Sequence, residues 1–118
     1  MTIHDDYVDW VLGQLAAAGG VSVRRMFGAF GLYHDGVFFG ILGRNTLYFK
    51  VDDANRADYA TRGMAAFRPY ADGSKVSISY FEVPADVIED AEECVRWARK
   101  AIAAGGAAHS RGRKRPPR

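Results

Sequence analysis

The stretch from Arg24 to Gly40 reads Arg-Arg-Met-Phe-Gly-Ala-Phe-Gly-Leu-Tyr-His-Asp-Gly-Val-Phe-Phe-Gly, and Asp35-Gly36 near its end constrains the fold more than any other pair in the chain. A two-residue hairpin turn whose twist matches its strands needs positive φ, which glycine adopts without steric cost and aspartate tolerates. Aromatic runs flank the pair, so strands are expected over about 22–34, 37–43 and, after a further break, 46–51. Counting outward from the turn sets Tyr33 opposite Phe38, Leu32 opposite Phe39, Gly31 opposite Gly40 and Phe30 opposite Ile41. Period-two alternation then assigns Phe30, Leu32, Val37, Phe39, Ile41, Leu47, Phe49 and Val51 to a core face. Tyr33, Phe38, Tyr48, Lys50 and the Gly31/Gly40 pair fall on the other. The spacing of Phe27, Gly28, Phe30 and Gly31 breaks simple alternation, which predicts a glycine bulge or bend near 28.

Helices bracket this meander. Val8, Val11, Leu12 and Leu15 form one apolar stripe, giving a helix over 5–18 that Gly19-Gly20 can end. Asp52 to Arg62 reads as a short helix stopped by Gly63. Strands at about 66–70 and 75–82 follow, joined through Ala71-Asp72-Gly73-Ser74, with Val76, Ile78 and Tyr80 alternating against Ser77, Ser79 and Phe81. Asp90, with Glu93 three residues on, is a capping box for a last helix whose stripe is Ala91, Val95, Ala98 and Ile102, flanked by Cys94, Trp97 and Ala101. The expected order is α-β-β-β-α-β-β-α: an α+β two-layer sandwich, with a five-stranded antiparallel sheet carrying helices on one face. The domain is assigned to residues 1–104, and the glycine-rich, then basic, segment 105–118 is expected to be a disordered tail.

Of the 16 Lys and Arg, five (Arg111, Arg113, Lys114, Arg115 and Arg118) lie in the last eight residues. The remaining 11 face 14 Asp and Glu, so the body carries about −3 before histidine. Any affinity for nucleic acid is therefore expected in the tail, weak and salt-sensitive. A single cysteine, Cys94, rules out an intrachain disulfide and suits a reducing cytoplasm. The N-terminus lacks the features of a signal peptide, and no apolar run is long enough for a membrane span.

The residues that carry chemistry are sparse. His4, His34 and His109 have no second ligand at metal spacing, so no metal or cofactor is implied. Cys94 sits beside a helical apolar stripe with no histidine near it in sequence and reads as a small buried hydrophobe. The acids at Asp5, Asp6 and Asp9, and at Glu89, Asp90, Glu92 and Glu93, suit helix starts. Phe27 and Phe30, three apart, would point to opposite faces, unlike the base-stacking strand of RNA-recognition domains. The candidate interaction surface is Arg24, Arg25, Tyr33, Phe38, Tyr48 and Lys50. Adjacent strand residues point oppositely, so only one of the two arginines joins the Tyr48/Lys50 face.

Arg24-Arg25-Met26-Phe27-Gly28, Gly31-Leu32-Tyr33, Asp35-Gly36 and Phe39-Gly40 resemble the N-terminal domain of the TfoX/Sxy proteins, regulators of bacterial DNA-uptake competence. Leu47 to Asp52, Ser79 to Pro84 and Trp97-Ala98-Arg99 continue the resemblance in order, covering about residues 21–103. The better-known members carry a second, C-terminal helical domain, and none is expected within these 118 residues. The resemblance implies a small non-enzymatic regulatory domain acting through protein partners or at promoters, with a homodimer left open. Two alternatives come from other classes: a nucleic-acid-binding accessory protein that uses its tail, and a ligand-binding protein or enzyme with a pocket on the Gly31/Gly40 face.

Overall fold

The computed structural model describes residues 6–26, 28–43, 45–68 and 77–114, with only the backbone for 77–78 and 109–114. Its sheet begins as three tight turns in succession. Strands β1 (Val21–Met26), β2 (Ala29–His34), β3 (Val37–Gly43) and β4 (Thr46–Lys50) follow one another with two residues between each pair. At the middle turn Asp35 has φ 49° and Gly36 φ 86°, both positive as a type I′ turn requires, and His34 pairs with Val37 across it. The strand expected over 22–34 is in fact two strands. Gly28, at φ 79°, reverses the chain outright, so that Met26 pairs with Ala29.

Two further strands, β5 (Ala66–Phe67) and β6 (Ser77–Glu82), complete a six-stranded sheet of order β1-β2-β3-β4-β6-β5, antiparallel throughout. The fold class is the α+β one expected, with six strands in place of five. The turn proposed at 71–74 lies outside the described residues.

A bulge in β3 corrects the expected register. Tyr33 pairs with Phe38 as counted, but Leu32 then pairs with Gly40, Gly31 with Ile41 and Phe30 with Leu42, leaving Phe39 as the extra residue. Phe39 and Gly40 consequently both turn toward the helices, and everything after them changes phase. Leu42 is fully buried in the core, while Ile41, assigned to the core face, lies on the opposite face across from Tyr48 and is 4% exposed. Glycine is needed at 40: a Cβ there would sit 3.1 Å from both Leu32 Cδ1 and the Tyr48 carbonyl oxygen. Gly31 and Gly40 therefore face opposite sides of the sheet and form no shared surface. Phe81 pairs with Phe49 and packs against the core, so Tyr80 faces the other way.

The helices gather on the core side. Helix α1 (Asp6–Gln14) passes into a single 3-10 turn (Ala16–Ala18), which Gly19 and Gly20 end at φ 70° and 69°. Helix α2 (Arg56–Ala60) follows a turn held by Asn55, which is 1% exposed. The Asn55 side chain accepts from the Asp52 N–H at 2.8 Å and donates to the Lys50 carbonyl at 3.1 Å. Helix α3 (Ala85–Glu89), not anticipated, starts after Pro84, whose fixed φ suits a helix start. Helix α4 (Ala91–Lys114) opens on the expected cap, the Glu93 N–H donating to Asp90 Oδ1 at 3.2 Å.

The α4 stripe that reaches the core is centred on Cys94, Ala98 and Ala101, one position round from the expected line, and Ala91 is exposed. Trp97 and Phe39 are both buried. Trp97 meets the edge of Tyr59 at 4.9 Å, whereas the ring beside Phe39 is Phe49 at 5.9 Å. Backbone disorder from 105 is also corrected as far as 114, because α4 runs on to Lys114. Gly-Gly-Ala-Ala is an indifferent helix sequence, but Gly105 lies against the Phe38 carbonyl, and tertiary packing outweighs propensity there. Residues 115–118 lie outside those described.

Candidate interaction surface

The sheet face opposite the packed helices carries a row of three aromatic rings with a cation at each end. The Arg24 guanidinium on β1 lies 4.8 Å over the ring of Tyr33 on β2. Tyr33 meets Phe38 on β3 at 5.3 Å, and Phe38 meets Tyr80 on β6 at 5.4 Å. The Lys50 ammonium on β4 closes the row, 5.1 Å over Tyr80. Hairpin register makes this local: Tyr33 faces Phe38 across the type I′ turn, and Lys50 faces Tyr80 across the β4–β6 pair. Each guanidinium or ammonium over a ring gains from the ring quadrupole, by about 0.5–1 kcal/mol at an exposed site.

Beside the row, Tyr48 meets the edge of Phe67 at 4.9 Å. Met26 fills the space above Gly31, its sulfur 3.3 Å from where a Cβ would stand. The aromatic residues are half-buried, so each ring keeps an exposed part. Burial pushes the Tyr80 hydroxyl up to about 12, with Tyr33 adding to it. Burial, and then the Glu82 charge, raise that of Tyr48.

Four of the six residues singled out, Tyr33, Phe38, Tyr48 and Lys50, thus share this face with Arg24. Arg25 does not: it points to the helical side, 5.5 Å from the Phe30 ring. Tyr80, Phe67, Ile41 and Met26 also belong to the face and escaped sequence reasoning. Only Tyr80 left a usable trace, through its alternation with Ser79 and Phe81 along the strand.

At the Lys50 end the last turns of α4 come alongside. Val37, Phe38, Lys50, Tyr80, Gly105 and Ala108 enclose a cavity of about 250 Å³. Arg111, Arg113 and Lys114 continue that helix, which places their backbone roughly 5–9 Å further along its axis at 1.5 Å per residue. Arg115 and Arg118 lie outside the described residues.

Other candidate chemistry is placed as follows. Cys94 is buried and its thiol is pushed up to about 11 by that burial, far from a reactive thiolate. His34 Nδ1 lies 3.8 Å from Asp35 Oδ2 in the exposed turn. Of the other histidines, His4 is outside the described residues and His109 is described only as helical backbone. Among the described residues, no three His, Cys, Asp or Glu cluster as metal ligands would. No helix among them is long and apolar enough to cross a membrane.

An antiparallel sheet with helices on one face and a cation–aromatic row on the other defines an open-faced α+β domain. The chain belongs to the TfoX N-terminal domain family, which matches it over residues 13–105 of 118. The match ends at Gly105, where α4 touches the sheet. No curated protein matches the chain.

Proposed function

We propose that this protein is a non-enzymatic interaction domain of the cytoplasm that acts in regulation by protein contact, with the open sheet face as its contact surface. The observation that carries this reading is the Arg24–Tyr33–Phe38–Tyr80–Lys50 row, with Tyr48 and Phe67 beside it. Tyrosine, phenylalanine and arginine are enriched in the cores of protein interfaces, where their large rigid surfaces desolvate at small entropic cost. Family membership supports a regulatory setting, and the resemblance to competence regulators suggests control of gene expression in a bacterium. The two arginines of the β1 edge, one on each face, also discourage edge-to-edge pairing of copies, which favours a partner over the face itself.

Site-specific photocrosslinking in the native host tests this. A benzophenone amino acid replaces Phe38, Tyr48 or, as a control, the exposed Ala103 on α4. A discrete protein adduct from positions 38 and 48 and none from 103 is the expected result. Adducts from 103 alone, or adducts only to nucleic acid, would overturn the reading.

A further inference from the structure

A second site lies at the opposite end of the sheet, away from the Lys50 end of the row. Helix α1, the β3–β4 turn, the end of β6 and helix α3 enclose a cavity of about 190 Å³ whose lining includes Tyr7, Trp10, Leu47, Glu82, Ile88 and Glu89. We propose that this cavity binds an alkylammonium or guanidinium group, carried either by a free amine or by a lysine or arginine side chain of a partner.

Three independent features support this assignment. Trp10 is the exposed large hydrophobic residue of the described surface, at 43%, and its ring lies 5.9 Å from that of Tyr7. Two aromatic rings at a cavity mouth are what a cation with an apolar stem prefers. Among the described residues the ion pairs engage Asp35, Asp53, Asp58, Asp86 and Glu93, and none of them joins a cation to Glu82 or Glu89. The floor is apolar: Leu47 and Val83 are buried and Ile88 nearly so, which accommodates methylene groups below a charged head.

Burial raises the Tyr7 hydroxyl first, and the Glu82 carboxylate raises it further, which puts a negative charge beside the Tyr7 ring. The size decides the ligand class, because pockets for drug-sized molecules run to roughly 300–1,000 Å³ and this one suits only the end of a chain. A hard divalent cation would want six or more oxygen ligands, and among the described residues no three His, Cys, Asp or Glu cluster to begin such a set.

The test is an NMR titration of the ¹⁵N-labelled protein. The probes are n-butylammonium, n-butylguanidinium, Nα-acetyl-lysine methylamide and, as the neutral control, n-pentanol. The cations should produce saturable shifts confined to the Trp10 indole N–H and the amides of Thr46, Ala85 and Glu89, at least tenfold tighter than any response to pentanol. Glu82→Gln with Glu89→Gln should weaken cation binding at least tenfold while leaving the remaining spectrum in place, and Trp10→Ala should weaken it as well. Binding of the capped lysine together with the simple amines assigns the site to a protein side chain. Binding of the simple amines alone assigns it to a free amine. Equal responses to pentanol and butylammonium, or cation shifts that survive the double substitution, would overturn the proposal.

Discussion

Two adjacent glycines in α4 should respond to the same substitution with opposite sign. In a helix interior Gly→Ala gains about 1 kcal/mol, because glycine loses the most backbone freedom on folding. At Gly106 nothing lies within 4 Å of the added Cβ, so Gly106→Ala should stabilise by up to about that amount. At Gly105 the same carbon would stand 2.5 Å from the Phe38 carbonyl oxygen and 3.4 Å from Val37 Cγ1. A strand carbonyl cannot rotate aside, so helix and sheet must part by the better part of an ångström, an overpacking that costs about 1–3 kcal/mol. The intrinsic gain is common to both sites, so Gly105→Ala should end about 1–3 kcal/mol below Gly106→Ala. Urea denaturation followed by circular dichroism reads this directly as a separation in midpoint at constant slope. Equal stabilisation by the two would refute the placement of α4 on β3 beyond Ala104.

Three further outcomes follow from the same geometry. Tyr59 is 1% exposed and its hydroxyl has no hydrogen-bond partner among the described residues, so Tyr59→Phe should raise stability by about 1 kcal/mol in the same denaturation assay; a loss would mean that the hydroxyl is satisfied. Gly36→Val should cost well over 1 kcal/mol by thermal melting, because a β-branched residue resists the φ of 86° that the type I′ turn imposes. Tyr80 is held neutral by burial, its hydroxyl raised from 10.0 to about 12, so its contribution is fully present below pH 10 and is lost as pH rises from 10 toward 12. Tyr80→Phe should flatten the fall in stability across that alkaline window, and an unchanged pH profile would show that the ring is solvated.

What could be read from the chain was what local physics decides. Asp35-Gly36 announced its own turn, and because Tyr33 and Phe38 are the first pair beyond its closing residues, their common face followed. The error began one residue further on. Whether β3 bulges at Phe39 depends on Leu32 and Tyr48 crowding Gly40 from a neighbouring strand and a neighbouring carbonyl, and no local pattern records that. The same holds at Tyr80 and Phe81, where Phe49 across the ladder chooses which ring faces the core. Gly28 looked like a kink because only one of its two turn residues is a recognised turn former. In α4, Gly105 and Gly106 read as helix breakers, and only the sheet beneath Gly105 shows why the first is there. Tyr7, Trp10, Glu82 and Glu89 meet only through tertiary structure, since nothing in their spacing joins the two ends of the chain.

The central claim is that one sheet face is spent on stability and the other is left for contact, and one paired measurement tests it. Phe39 is fully buried against Phe49, so Phe39→Ala should cost about 3–5 kcal/mol. Tyr48 is half-buried, with its ring at the edge of Phe67, so Tyr48→Ala should cost about 1 kcal/mol and leave the protein folded. Denaturation midpoints of the two variants measured side by side should differ by several kcal/mol when converted with a common slope. Equal losses would contradict the account, because the face assigned to partners would then belong to the core.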